Sequence, residues 1–213
     1  MHNLRLSVTT LDSYVYFKGS DQETDVLMAR LRGEEPPSPE MARGRALHKA
    51  LELAEPGEFV SLKADGFDFN ILGSVELELP EYREVKAEHP IVINPGLTVT
   101  LVGKVDALQG RTVYDHKGMG RFEAEYLFDT FQWRWYLHIF GADAFVWNCF
   151  VLKETRPREF DVTDFHKLTQ YRYPSMADDC LALLREFLNF LNIDKLRFPK
   201  DDCPLATLLK ANQ

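Results

Sequence analysis

The sequence has few cysteines, no long apolar run and no internal repeat. Its three cysteines, Cys149, Cys180 and Cys203, have no close spacing, so the pattern supports neither a Cys-x-x-Cys zinc site nor an iron–sulfur cluster. Such unpaired thiols fit a reducing cytoplasm. No apolar run is long enough to cross a bilayer, and the N-terminal residues lack the apolar region of a signal peptide. These absences predict a cytoplasmic chain that has no membrane segment.

The chain also has no excess of positive charge. Its 33 acidic and 25 basic residues give a net charge of −8, which argues against indiscriminate nucleic-acid binding because a groove that tracks phosphates is normally basic. A localised site is not excluded, since carboxylates that bind a metal ion are neutralised in the loaded site. The length of 213 residues predicts one domain, 1–213, with a substantial core.

Hydrophobic periodicity predicts an α/β chain. Helical spacing covers 9–17, 39–54, 123–140 and 174–196, and the last of these helices is expected to pack on the core. Strand patterns cover 67–79, 84–94, 98–108, 111–117 and 144–152, and 158–162 predicts an edge strand. The strands from 67 to 117 are expected to run antiparallel in succession. Turn signals at 55–57, 80 and 94–96 separate these elements.

The most informative stretch is 97–117, which carries two aspartates and a lysine on adjacent predicted strands. Alternation places Asp106 near the end of the first strand, and Asp115 and Lys117 on one face of the second. The turn at Gln109-Gly110 would close a hairpin and bring the three side chains together. Mg²⁺ and Mn²⁺ prefer carboxylate ligands, and a nearby lysine can stabilise negative charge on a phosphate. The alternative is a surface hairpin with a solvated ion pair.

These residues carry a resemblance to a known family. VGKVDAL and VYDHKG resemble the second and third motifs of the PD-(D/E)XK nuclease superfamily, in the branch of the RecB nuclease domain, CRISPR-associated RecB-like exonucleases and phage nucleases. MARGRALHKALE resembles the first motif of that branch, with Gly44 four residues before His48. Gln132 and Tyr136 match its Gln-x-x-x-Tyr helix motif, and LSVTTLDSYVYF resembles its N-terminal helix.

The resemblance implies a restriction-endonuclease-like core, a mixed sheet flanked by helices in α-β-β-β-α-β order. It implies a Mg²⁺- or Mn²⁺-dependent deoxyribonuclease in which His48, Asp106 and Asp115 hold the metal. Lys117 would assist the attacking water and stabilise charge, while Gln132 and Tyr136 would position the strand or order the catalytic groups. The implied role is that of an exonuclease of bacterial or phage recombination and repair, with DNA and a recombination protein as partners.

The sequence departs from the family pattern at three points. Gly118 stands where many relatives have threonine after the lysine, and His116 replaces an aromatic residue or leucine. Alternation turns the His116 side chain away from Asp115 and Lys117, so it is not expected to be a ligand. Relatives with an iron–sulfur cluster have four cysteines that this chain does not match, so no cluster is expected. Glu88 loosely matches an additional acidic ligand of some relatives, or is a surface glutamate.

Two other functions use the same residues. One is a non-catalytic module that keeps the fold to bind DNA or a protein, and the other is a nuclease that acts on RNA or a small phosphoester. Several basic side chains are candidates for substrate contacts or are simply solvated: Arg43, Arg45, Lys49, Arg121, Arg134, Lys153, Arg156 and Arg158.

Overall fold

The computed structural model describes residues 1–55, 60–72, 75, 77, 79–80 and 82–213. The helices are α1 (Val8–Lys18), α2 (Thr24–Leu31), α3 (Pro39–Leu53), α4 (Ala124–Asp129), α5 (Gln132–Phe140), α6 (Met176–Phe190) and α7 (Leu205–Ala211). The strands are β1 (His2–Ser7), β2 (Ser61–Ala64), β3 (Phe67–Ile71), β4 (Tyr82–Asn94), β5 (Leu97–Gln109), β6 (Thr112–Met119), β7 (Ala144–Arg156), β8 (Glu159–Tyr171) and β9 (Asp202–Pro204). The predicted helix stop at 55–57 and the end of the predicted strand 67–79 lie largely outside the described residues.

The strands described here form one mixed sheet in the order β2-β3-β8-β7-β6-β5-β1-β9, and β4 pairs with β5. The pairs β1/β5, β1/β9, β3/β8 and β6/β7 are parallel, and the others are antiparallel. Helices pack against this sheet, so the predicted mixed sheet flanked by helices is confirmed. None of the helices in the described part of the chain is long and apolar enough to cross a membrane.

The sheet divides at strand β5, and we call the gap between β5 and β6 the fork. One edge of β5 pairs with β4 over almost its whole length. Its other edge is shared, because β1 pairs with Leu97 to Val102 and β6 pairs only with Ala107 to Gln109. The strands β5 and β6 therefore separate after three residue pairs, as the ladder passes Asp106. This separation leaves room for side chains between the two strands.

Two apolar clusters hold the layers together. The larger one joins the sheet to α1, α5 and α6 and includes Trp135, Trp147 and Phe187. The smaller one lies under α3 and includes Leu47 and Phe150. Because Trp147 and Phe150 are an odd number of residues apart on β7, they point to opposite faces of the sheet. Thus α3 covers one face of the central strands, and α5 covers the other.

Several predicted elements differ from the observed ones. The helix predicted over 123–140 is two helices, since α4 ends at Asp129 and α5 begins at Gln132. The Asp12 carboxylate on α1 accepts the N–H of Phe131 at 3.1 Å and so starts α5 separately. The antiparallel succession from 67 to 117 was wrong for β3, which pairs in parallel with β8. The helix predicted over 174–196 ends at Phe190 and is followed by a 3-10 turn, Ile193–Lys195.

The edge strand predicted over 158–162 was also wrong. The observed β8 has 13 residues and lies inside the sheet between β3 and β7. Its second half mixes polar and apolar residues, because that part is half-exposed and gives no continuous apolar run. The strands β1 and β9 were not predicted at all. Both are short, and their partners are distant in sequence.

Candidate active site

The fork between β5 and β6 contains the side chains of the two strand motifs. Asp106 lies on β5 at the point of separation, and its Oδ2 accepts the backbone N–H of His116 at 2.7 Å. This bond occupies the position where the ladder between the strands would have continued. The carboxylate is therefore fixed between the strands, and its second oxygen is left for another partner.

That partner is His48, which comes from α3. Its Nδ1 lies 2.8 Å from Asp106 Oδ1. Burial alone would raise the pKa of Asp106, but the hydrogen bond and charge of His48 outweigh it and lower this pKa. Burial opposes protonation of His48, yet the bond to Asp106 raises the pKa of His48 above its ordinary value. The predicted juxtaposition of the histidine helix and the hairpin is thus present in the structure.

Asp115 and Lys117 lie on β6 and form an ion pair, with Lys117 Nζ 2.8 Å from Asp115 Oδ2. Asp115 is buried, and its pKa rises to about 6 because desolvation outweighs the charge of Lys117. Burial opposes the charge on Lys117, but the Asp115 carboxylate raises the pKa of Lys117 above its ordinary value. About a third of the Lys117 side chain is exposed. The lysine is therefore a fixed cation that still reaches the solvent.

Gln132 bridges this ion pair from the first turn of α5. Its Nε2 donates to Asp115 Oδ1 at 3.0 Å, and its Oε1 accepts from Lys117 Nζ at 3.2 Å. The hydroxyl of Tyr136, one turn further along, lies 3.5 Å from the same Nε2. Both side chains are buried beneath the pair. Of the two roles that the family resemblance implies for them, this placement favours ordering the catalytic groups.

The position of α3, and hence of His48, is set by contacts with the strands. The Arg83 guanidinium on β4 donates to the carbonyl oxygens of Glu52 and Ala54 at 2.7 Å each, where α3 ends. A cation suits this end of a helix because the last carbonyl groups have no partner within the helix. Leu47, beside His48 on α3, packs directly on Gly118 of β6.

His116 points to the α3 side of the sheet, as alternation predicts. Its ring is buried against the edge of Phe150, and Asn148 Nδ2 lies 3.3 Å from its Nδ1. Burial lowers the pKa of His116 to about 4, so the ring is neutral at neutral pH. His116 serves the site through its backbone N–H, which binds Asp106. Asn148 was not predicted, and nothing in its local sequence singles it out.

The donors at the fork fit a hard divalent cation in their chemistry. They supply an imidazole and two carboxylates, and the buried Asp115 Oδ2 has an ion-pair partner but no hydrogen bond of normal geometry. Within the described ranges, no group of three or more His, Cys, Asp or Glu side chains is already arranged around a single ion position. In this arrangement His48 binds Asp106, and Asp115 binds Lys117.

A cleft of about 460 Å³ opens beside His48 and Asp106. Glu84 of β4, which is opposite Asp106 in the β4/β5 register, also lines it and forms an ion pair with Lys104. Glu84 was not predicted, because a charged residue on an exposed strand carries no local signal. Glu88, the acidic residue that loosely matched an additional ligand, lies opposite Val102 and pairs with Arg5 at 2.6 Å. Glu88 does not line the cleft.

Comparison with solved structures supports the fold. The crystal structure of SSO0001 superposes with a TM-score of 0.55 and 16% sequence identity over 87% of this chain and 76% of that one. The crystal structure of LHK-Exo in complex with dAMP gives a TM-score of 0.48 and 15% identity, over 89% of this chain and 88% of that one. The crystal structure of an alkaline exonuclease (LHK-Exo) from Laribacter hongkongensis gives 0.47 and 14%, over 89% of each chain. No family model and no curated protein matches the sequence.

The superposition on SSO0001 supports the fold of the chain. The chain is a mixed α/β protein with a multi-strand sheet flanked by helices, and it shares this architecture with SSO0001. A fold hosts many activities, so function has to be argued from the site itself.

Proposed function

We propose that the protein is a metal-dependent nuclease that hydrolyses DNA phosphodiester bonds, an exonuclease of recombination or repair type in the RecB-like branch of the PD-(D/E)XK superfamily. The observation that carries the proposal is the convergence at one fork of His48, Asp106 and the Asp115–Lys117 pair. These residues come from three separate elements, and each matches a motif of that branch. A surface hairpin with a solvated ion pair would not bury Asp115 or receive a histidine from a helix.

In this proposal His48, Asp106 and Asp115 hold Mg²⁺ or Mn²⁺. The bound ion would lower the pKa of an attacking water and polarise the phosphoryl oxygen. Asp115 suits this role because burial makes its negative charge costly, and a bound cation would stabilise that charge. The bond from the His116 N–H keeps Asp106 oriented while its other oxygen is used.

Lys117 supplies positive charge where negative charge develops. Its raised pKa keeps it protonated at neutral pH, so it donates hydrogen bonds and does not accept a proton from water. The ammonium also lies 5.1 Å from the centre of the Trp147 ring, which limits where it can move. The amide oxygen and nitrogen of Gln132 hydrogen-bond Lys117 and Asp115 and so fix their relative positions. The Tyr136 hydroxyl in turn contacts the Gln132 amide nitrogen. Both act as positioning residues.

The proposal is tested by incubating the protein with linear and circular DNA, single and double stranded, in Mn²⁺, Mg²⁺ or EDTA. Lys117→Ala serves as the inactive variant, and Lys210→Ala, an exposed lysine on α7, is its matched control. Metal-dependent loss of linear DNA alone, absent in Lys117→Ala and kept in Lys210→Ala, supports an exonuclease. Cutting of circles indicates an endonuclease, and preferential cleavage of an RNA substrate moves the assignment to RNA.

Absence of cleavage in every condition, with DNA still bound, would favour a non-catalytic binding module. Calorimetric titration with Mn²⁺ separates that module from a nuclease that was offered the wrong substrate. A nuclease site is expected to bind the ion and to lose it in Asp106→Ala.

A further inference from the structure

A second cleft adjoins the candidate active site along α3. Its volume is about 400 Å³, and it is lined by the start of α3, the Phe67 and Phe160 rings and the turn between β7 and β8. Arg45 lines both this cleft and the one that contains His48 and Asp106. Arg45 therefore lies between the two clefts, which adjoin each other at this residue of α3. We call the second cleft the arginine cleft, after Arg43, Arg45 and Arg158 in its walls.

Three of the described arginines whose side chains form no hydrogen bond or close ion pair line this cleft, and two others, Arg185 and Arg197, do not line it. Most arginines in the described part of the chain form an ion pair with a carboxylate or donate to other protein oxygens: Arg5, Arg30, Arg32, Arg83, Arg111, Arg121, Arg134, Arg156 and Arg172. Arg43, Arg45 and Arg158 form no such bond with any described residue, and Arg43 Nε is also buried without a hydrogen bond. Desolvating a guanidinium N–H without a partner is costly.

The cleft orients two of these guanidinium groups on aromatic rings. Arg43 lies 5.4 Å from the centre of the Phe160 ring, and Arg158 lies 5.5 Å from the centre of the Phe67 ring. Such contacts hold the guanidinium in place and leave N–H groups for a ligand. Two carboxylates, Glu40 and Glu154, also line the cleft. Glu40 interacts mainly with Ser38 and its own backbone N–H where α3 begins, and more weakly with the charge of Arg43.

Arg158 occupies a backbone conformation that normally calls for glycine. It follows Pro157 in the turn between β7 and β8 and has a φ of 66°. A side chain in this region costs free energy, so it persists only where surrounding contacts fix it. The Arg158 carbonyl accepts the N–H of Asp68 at 3.0 Å, which fastens the turn to β3 and directs the side chain into the cleft.

Gly44 is also unusual for its position in the fold. It lies inside α3, where glycine costs about 1 kcal/mol relative to alanine. A Cβ built at this position would meet nothing within 4 Å, so internal packing does not require glycine here. Gly44 lines the cleft that contains His48 and Asp106. A glycine that packing does not need, in the wall of a cleft, indicates close approach of a ligand to the helix backbone.

We propose that the arginine cleft binds backbone phosphates of a nucleic acid strand that runs along α3 toward His48 and Asp106. This inference rests on the proposed function for the identity of its ligand. Arg43 precedes His48 by five residues, or about 7.5 Å along the helix axis. The cleft would therefore hold the strand close to the reacting phosphate. Gly44 lets the strand lie against the helix between them.

The test measures binding of a fluorescently labelled single-stranded oligonucleotide in EDTA, so that binding is separated from cleavage. The variants are Arg43→Gln, Arg158→Gln and Gly44→Ala, and the matched control is Arg185→Gln, an exposed arginine on α6 that lies outside the cleft. Each arginine variant is expected to weaken binding about threefold to tenfold. Each should also reduce the slope of log K against log salt by about 0.7, the value for one phosphate contact on a single strand.

Gly44→Ala gives a second and independent readout. It is expected to raise the melting temperature by a few degrees, because it removes a glycine from a helix, and at the same time to weaken binding. Weaker binding by a more stable protein cannot come from a folding defect. Unchanged affinity in Gly44→Ala, together with unchanged affinity and salt slope in both arginine variants, would overturn the inference.

The outcomes also separate this inference from the proposed function. Loss of binding in the cleft variants of a protein that cleaves nothing and binds no Mn²⁺ supports the cleft and refutes the nuclease. Metal-dependent cleavage by a protein whose cleft variants bind and cleave normally supports the nuclease and refutes the cleft. A wild-type protein that binds no strand in EDTA refutes the cleft whatever its activity.

Discussion

Leu47 of α3 packs on Gly118 of β6 so closely that a Cβ at position 118 would lie 2.9 Å from Leu47 Cδ2. The same Cβ would lie 2.8 Å from Cδ1 of Leu152. Both distances are shorter than van der Waals contact, so a side chain at position 118 would displace the methyl groups of Leu47 and Leu152. Any residue larger than glycine after Lys117 therefore requires the contact between α3, β6 and β7 to repack.

The first prediction follows from this contact. Gly118→Ala should lower the free energy of unfolding by about 1–3 kcal/mol, because the methyl group overpacks the contact between α3 and β6. It should also slow cleavage, since moving Leu47 moves His48. Chemical denaturation and single-turnover cleavage measure the two effects. The matched control is Gly120→Ala, where a Cβ would meet nothing within 4 Å. Equal stability of the two variants would show that the contact is not tight.

A second prediction concerns the C-terminal end of α3. Arg83→Met keeps most of the side-chain length but removes the bonds to the Glu52 and Ala54 carbonyls. We expect a loss of about 1.5–3 kcal/mol in unfolding free energy, the range for hydrogen bonds to a charged group. Arg121→Met, an exposed arginine on the surface, should be nearly neutral. Urea unfolding of both variants measures these free energies. An unchanged unfolding free energy in Arg83→Met would show that Arg83 does not fix the end of α3.

The third prediction is a pH dependence of stability caused by His116. Its folded pKa of about 4 lies below the ordinary 6.5, so the unfolded chain takes up the proton first as pH falls. The stability that depends on the neutral ring is present above pH 6.5 and is lost toward pH 4. Asp115 acts in the opposite sense, because its pKa is raised to about 6. The wild-type curve alone therefore does not isolate His116.

Comparison with His116→Gln isolates it, because glutamine keeps an acceptor for Asn148 but does not titrate. We subtract the unfolding free energy of the variant from that of the wild type. This difference should fall by about 2 kcal/mol when the pH is lowered from 7.5 to 5. Urea unfolding in EDTA at the two pH values measures this difference. A difference that does not change with pH would mean that His116 is not held neutral in the folded protein.

A fourth prediction separates two glutamates on β4. Glu88→Gln should leave metal affinity and cleavage unchanged, because Glu88 binds Arg5 and lies away from the cleft. Its effect on stability should be small, since the pair is near the surface. Glu84→Gln, next to Asp106, is the comparison. A strong loss of cleavage in Glu88→Gln would require a different location for the active site.

The sequence was most informative where the signal is local. Alternation along 98–117 identified the hairpin, which the observed β5 and β6 form. Its turn is Gly110-Arg111, one residue later than predicted, because Gln109 still pairs with Thr112. The helix predicted over 39–54 corresponds closely to α3, because its N-cap Ser38 and its apolar spacing are local features. Such features depend on neighbouring residues and survive in any tertiary context that buries the same face.

The rest of the fold depends on distant partners. The fork at Asp106 exists because β1, from the other end of the chain, takes one part of the edge of β5. Asp12 separates α5 from α4, and Arg83 fixes the end of α3, across 119 and up to 32 residues of sequence respectively. No local pattern encodes these contacts. Strand register is likewise not a local pattern. The sequence therefore suggested Glu88 as an acidic ligand, whereas the β4/β5 register places Glu84 beside Asp106.

The central claim is that the fork is the site of metal-dependent DNA hydrolysis. The most direct measurement is the rate at which Asp106→Ala and the wild-type protein degrade end-labelled linear DNA in Mn²⁺, with folding of both checked by circular dichroism. We expect that a folded Asp106→Ala protein gives no detectable cleavage while the wild type degrades the DNA. Cleavage by Asp106→Ala at the wild-type rate would contradict it.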